Sequence, residues 1–250
     1  MAAAFFLIGT SQGSNAESNK SLQARFSSDR LGHMEPGTYL AGESDAFELT
    51  SDGSSYFLRY SGSPEVFVLS AENAPMGARV FRYDSGETAL QVSGWGGVTL
   101  YTDRAPKGLP ALRTGLAQTP SLPPVAPEDI RAADTDMAAL IGRVDGIDLS
   151  FSLDWSNVPE SSAARSLALD AIENIARGIE RMGRWPRWRQ ALSRRISEIM
   201  LTEGPTPAVK LSGRKLLITF NPDKGYEGRA SSRSIVNALG TLLKASTKQS

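Results

Sequence analysis

The chain has no cysteine among its 250 residues, and one histidine, His33. Without cysteine there are no disulfides, no thiolate nucleophile and no Cys-type zinc site. One histidine in a Gly/Pro-rich segment cannot build a multi-histidine metal centre, and it is badly placed to act as the base of a Ser-His-Asp triad. Charge of a single sign is also lacking: Lys+Arg and Asp+Glu both number 27. Balance of this kind argues against a general nucleic-acid binder. No G-x-S-x-G elbow occurs. Gly94-Trp95-Gly96-Gly97 lacks the lysine and helix start of a phosphate loop. Asp134-Thr135-Asp136 lacks the glycine and distal glutamate of a calcium loop. No internal repeat is present, and no apolar run reaches transmembrane length. From these absences no catalytic residue, metal or cofactor is assigned.

What is present is a β rhythm. From Ser55 to Thr102, short apolar runs alternate with turn residues at roughly ten-residue spacing, the mark of an antiparallel meander. Tyr56–Tyr60 ends at Ser61-Gly62-Ser63-Pro64. The next strand, Glu65–Leu69, is apolar on both faces, as in a central strand. Val80–Tyr83 and Ala89–Val92 flank Asp84-Ser85-Gly86, a hairpin loop with glycine available for positive φ. Glycines around Trp95 suggest a bulge or sharp bend before Val98–Tyr101. Two readings of Trp95 follow: a sheet corner, or a ring against which a ligand rests.

The segments SPEVFVLS, GARVFRYDSG, GWGGVTLYT and PKGLPA resemble an uncharacterised family of secreted alphaproteobacterial proteins, domain of unknown function 4908. The resemblance covers Tyr56–Arg113. It implies a bacterial envelope setting and no chemistry, because the family has no assigned activity.

Along the chain, residues 1–16 read as a truncated signal peptide. Ala2–Ile8 is its apolar core, and Ser14-Asn15-Ala16 is a small-x-small site, although a positive n-region is missing. Residues 17–37 are expected to be disordered, and 38–104 to form the β-meander domain, sandwich- or half-barrel-like. Prolines crowd residues 105–127, an extended crossover. Residues 128–244 are expected to form an α+β domain, and 245–250 a tail. Within that second half, Ile130, Ala133, Met137, Leu140, Ile141 and Val144 give a helical stripe. Ile147–Trp155 alternates strictly, with Asp148 and Asp154 on its polar side. Those carboxylates are six residues apart, roughly 20 Å on a strand, too far for a glycosidase pair, which needs about 5–9.5 Å. Ser161 or Ser162 caps a helix to Met182, and Gly183-Arg184-Trp185-Pro186 turns into a second. There Trp188, Leu192, Ile196 and Ile199 form the inner face. This helical hairpin is expected to pack on a small sheet. A β-hairpin crosses Ser212-Gly213-Arg214, and a last helix spans Ser232–Lys244. The fold class is α+β.

The strongest local anomaly is Arg177–Arg195. Seven arginines surround Trp185 and Trp188, with Glu180 as the only acid. Guanidinium forks hold phosphates and carboxylates, and indoles suit interfaces. Arg184, Trp185, Arg187 and Arg189, with Trp95, are therefore the candidate binding residues. The expected partner is an anionic envelope component or another protein. Nucleic acid and a transmembrane span are not expected. The bland reading gives a solvated helix face with both tryptophans in the core. The expected function is a non-catalytic exported protein, periplasmic or secreted, with a binding or structural role. The competing reading is a carboxylate-based hydrolase of wall or sugar polymers, which needs acids to converge, such as Glu65 or Asp84 near Asp103. Nothing in the sequence sets the oligomeric state.

Overall fold

The computed structural model describes residues 33–143, 149–154 and 161–245. The first half is a meander that closes on itself. Strands β1 (Gly37–Ala41), β2 (Asp45–Asp52), β3 (Ser55–Tyr60), β4 (Val66–Asn73), β5 (Arg79–Tyr83), β6 (Thr88–Val92), β7 (Val98–Leu100) and β8 (Leu109–Gly115) form a closed barrel. Each strand pairs antiparallel with the next, and β8 returns to β1. Closure removes both sheet edges. It also turns one face of every strand inward, so the barrel fills with side chains rather than enclosing a channel. Phe47, Leu49, Leu58, Phe81, Leu90 and Leu100 are fully buried there. Tyr56 meets Phe81 edge-on, with centroids 4.8 Å apart. The β1–β8 register shifts at Thr38/Tyr39. Gly37 permits that closure, because a Cβ there would lie 2.6 Å from the Gly115 carbonyl oxygen.

The hairpin loop expected at Asp84-Ser85-Gly86 is present, with positive φ at Gly86, and Gly53 and Gly96 take positive φ in two further strand-to-strand turns. Trp95 sits at the tip of the β6–β7 hairpin, so of the bulge and the sharp bend that its glycines suggest, the chain makes the bend. The full closure was not legible. Strand β8 falls inside the proline-rich stretch expected to be an extended crossover. Pro110 supplies no amide donor, but its carbonyl accepts from Gly42 N–H at 3.1 Å. The stretch 117–126 that follows has no regular secondary structure.

The second half is mixed α/β. Helix α1 (Pro127–Arg143) precedes β9 (Ser150–Leu153), α2 (Ser162–Gly183) and α3 (Pro186–Arg195). Then come β10 (Glu198–Glu203), β11 (Ala208–Ser212), β12 (Lys215–Phe220) and α4 (Ser232–Ala245). The sheet order is β11-β12-β10-β9, with β9, β10 and β12 parallel and β11 antiparallel at the edge. Ser161 caps α2 by accepting from Ala164 N–H. The α2 stripe Ala168, Ile172, Ile175, Ile179 and Met182 is buried as its spacing requires. In α1, Ile130 and Met137 are buried, whereas Leu140 is 37% exposed. Ile147, Asp148 and Trp155 lie outside the described residues, as do residues 1–32. Leu149, Phe151 and Leu153 point inward as the alternation requires.

Strand β10 corrects the helical reading of Ile196 and Ile199. The chain turns extended at Ile196 (φ −121°, ψ 130°). Ile199 and Leu201 then alternate into the core between two parallel neighbours. A short apolar run inserted between parallel strands has no periodicity of its own to separate it from a helix end.

Candidate functional site at the seam of the two halves

Helix α4 begins where the barrel ends. The strand-to-strand loops of the barrel supply carboxylates, and the start of α4 supplies donors. Glu65, just before β4, accepts from the backbone N–H and the hydroxyl of Ser232, both at 2.8 Å. Asp84, in the β5–β6 turn, accepts from Ser231 N–H at 2.7 Å and from its hydroxyl. The barrel thus caps a helix of the other half, satisfying N–H groups that would otherwise be orphaned and meeting the positive end of the dipole. Behind the cap, Arg229 is 1% exposed. It donates to Asp170 of α2 at 2.5 Å and to the Val66 carbonyl of β4 at 2.6 Å. Ser55 also donates to Glu227 across the same seam. Helices α2 and α4 pack closely because Gly178 has no side chain: a Cβ would lie 2.9 Å from Ile235 Cγ2.

At the rim of this seam lies an ion chain. Asp103, after β7, accepts from Arg181 of α2 and from Arg233 of α4, both at 2.8 Å. Arg233 also donates to Glu87 at 2.9 Å, and its guanidinium lies 4.6 Å from the Tyr83 ring centroid. Tyr83 in turn shares a 2.6 Å hydrogen bond with Tyr60 inside the barrel mouth.

The three acids considered for hydrolysis, Glu65, Asp84 and Asp103, do fall along one seam. Each is engaged by serine or arginine donors from the α/β half. Their environments differ. Burial raises Glu65 above the usual carboxylate range, against the two Ser232 donations and the charges of Arg177 and Arg229. Burial acts on Asp103 in the same direction, but Arg233 and Arg181 outweigh it and hold Asp103 low.

The two shifts have opposite consequences for stability. Because the folded state binds the Glu65 proton more tightly than the unfolded chain does, Glu65 favours folding below its unfolded range. That contribution is lost as pH rises through its folded value. Asp103 contributes above its unfolded value and loses its contribution as pH falls through its depressed folded value. Urea midpoints measured against pH should therefore lose their acid-side drop in Asp103→Asn. In Glu65→Gln they should lose the decline that sets in above the ordinary carboxylate range. Unchanged profiles in both variants would contradict these environments.

A cleft of about 360 Å³ opens beside the ion chain. Its walls include Arg181, Trp185, Trp188, Arg233, Gly240 and Lys244. Trp185 was read from the sequence and is 63% exposed. Trp188 is partly buried against the core, as its place on the inner face of α3 requires. Both Arg187 (5.4 Å) and Lys244 (5.8 Å) lie over its ring. Arg184 is exposed and donates to Glu180 at 3.0 Å, a surface i,i+4 pair of about 0.3–0.5 kcal/mol. Arg187 is exposed, whereas Arg189 is half-buried and engaged within the protein. Trp95, 85% exposed, lines neither this cleft nor its neighbours. The structure thus gathers Arg184, Trp185, Arg187 and Arg189 at one corner and leaves Trp95 on a separate hairpin tip.

The sequence reading missed Arg229 and Arg233. The only local signal was a polar run, Arg229 to Ser234, ahead of an amphipathic helix, which reads as an ordinary N-cap. Among the described residues no helix is long and apolar enough to cross a membrane, and no cluster of His, Cys, Asp and Glu is arranged to hold a metal.

Fold and seam together define an α+β protein in which a closed antiparallel barrel is clasped to a mixed-sheet unit. The chain belongs to the family described as Domain of unknown function (DUF4908), whose model matches residues 20–239. No curated protein and no solved structure matches it significantly.

Proposed function

We propose that this is a non-catalytic, exported binding protein that docks on an anionic envelope component through the corner formed by the end of α2 and by α3. The observation that carries this reading is the charge of that corner. From Arg181 to Ser197 the chain carries Arg181, Arg184, Arg187, Arg189, Arg194 and Arg195 and no acid, with Asp103 and Glu180 from outside that stretch answering Arg181 and Arg184. Exposed Trp185 stands at the N-cap of α3, between exposed Arg184 and Arg187. An indole flanked by guanidiniums suits a phosphate- or carboxylate-bearing surface, with the ring at the interface and the charges on the headgroups. The exported setting is supported by the apolar Ala2–Ile8 run and the small-x-small site after it.

The test is co-sedimentation of the full chain with anionic vesicles and, separately, with peptidoglycan. Neutralising Arg184 and Arg187 to glutamine leaves the engaged Arg189 undisturbed. At about 1 kcal/mol per basic residue near an anionic surface, the double variant should bind about thirtyfold more weakly. Equal pelleting of the variant and the parent would overturn the reading. Salt-sensitive pelleting with only one of the two materials would identify the source of the anionic groups.

The hydrolase reading finds less support. Glu65, Asp84 and Asp103 each hold a donor from the neighbouring half, which suits a clasp better than a pair of carboxylates poised on a substrate.

A further inference from the structure

The cleft beside Trp185 has a chemistry different from that of the arginine corner. Its lining carries Arg181, Arg233 and Lys244 against Glu87 and Asp103, a near balance. Both guanidiniums are already held by carboxylates, with Asp103 bridging Arg181 and Arg233 and with Glu87 closing the chain. An incoming phosphate would meet the like charges of Asp103 and Glu87 at close range. A hydroxyl carries no charge and can donate to a spare carboxylate lone pair or accept from a remaining N–H with the ion chain intact. Planar, multiply hydrogen-bonding side chains beside an exposed indole offer hydrogen bonds to hydroxyls and an apolar platform to the C–H face of a ring. A second cleft, of about 490 Å³, lies on the other side of Glu87, Asp103 and Arg233. There Tyr101 donates its hydroxyl proton to Gln91 at 3.0 Å. Two clefts that share one polar wall suit a ligand with repeated hydroxylated rings.

We propose that these clefts bind an uncharged oligosaccharide segment, with Trp185 as the stacking platform and the Arg181–Asp103–Arg233–Glu87 chain as the hydroxyl-binding wall. This site is independent of the attraction proposed for Arg184 and Arg187, so either can fail without the other.

The test titrates the full chain with the tetramer of N-acetylglucosamine, a neutral glycan, by calorimetry at low and high salt. Binding should be nearly insensitive to salt, because no net charge is neutralised. Trp185→Ala should weaken it by about tenfold or more. Trp95→Ala, on the distant hairpin tip, should leave it unchanged. Gly240 gives a second variant. It lies on α4 in the cleft wall, and a side chain there would enter open space. Gly240→Phe should therefore block binding while the protein stays folded. Absence of tetramer binding, binding abolished by high salt, or binding that survives both Trp185→Ala and Gly240→Phe would overturn the proposal. Tetramer binding without vesicle pelleting would sustain the cleft and remove the corner. Pelleting without tetramer binding would do the reverse.

Discussion

Arg229→Ala is expected to destabilise the protein by about 3–5 kcal/mol, the cost of breaking a buried ion pair from one side. The guanidinium is 1% exposed and Asp170 is 12% exposed. Removing Arg229 leaves the Asp170 carboxylate partly desolvated without its cation, and takes a buried charged donor from the Val66 carbonyl. The loss of the contact between the guanidinium and the Tyr226 ring, 5.4 Å from its centroid, adds a smaller amount. Truncating one partner is far more costly than replacing both. Arg229→Met combined with Asp170→Leu should recover most of the loss, because two apolar groups leave no charge uncompensated. Urea unfolding of the single and double variants measures both effects. A single variant within about 1 kcal/mol of the parent would mean that the seam is far more hydrated than its burial implies.

Phe81→Ala is expected to cost a comparable amount, about 3–5 kcal/mol, through a different mechanism. Phe81 is fully buried inside the barrel, against Tyr56 and beneath the Arg79 guanidinium, which lies 5.7 Å from its ring. A closed barrel cannot collapse around a missing ring as an open sheet can, so the cavity persists. The loss should appear in the same unfolding transition as that of Arg229→Ala. The seam carries a helix cap and an ion chain that link the halves, and Arg229, paired with Asp170 in its own half, donates across the seam to the Val66 carbonyl. Near-ultraviolet and far-ultraviolet dichroism should therefore report one midpoint. Separate midpoints would show that the halves unfold independently.

The two halves differ in how much of each is legible from local pattern. Strands and glycine-containing turns from Tyr56 to Leu100 could be read almost residue by residue, because their pattern is local. The α2 stripe could be read for the same reason. Closure of the barrel could not, since it depends on β8 meeting β1 across some seventy residues, and Pro106 and Pro110 mask that strand with linker composition. Strand β10 was hidden because Ile196 and Ile199 continue the spacing of α3 by coincidence. At the site, Trp185 and the arginines stood out by density alone. Arg229 and Arg233 did not, because their roles exist only once Asp170, Asp103 and Glu87 arrive from other elements. The acids Glu65, Asp84 and Asp103 were visible as individual residues. That they clasp a helix rather than face a substrate is a matter of what the start of α4 brings to them.

Salt dependence of pelleting with anionic vesicles is the most direct measurement of the proposed role. If the corner docks by charge, the full chain pellets at low salt and is released at high salt, and release comes earlier when Arg184 and Arg187 are glutamine. If the full chain stays in the supernatant at low salt, with vesicles and with peptidoglycan alike, the corner is scaffolding for the seam and the envelope-binding role is wrong.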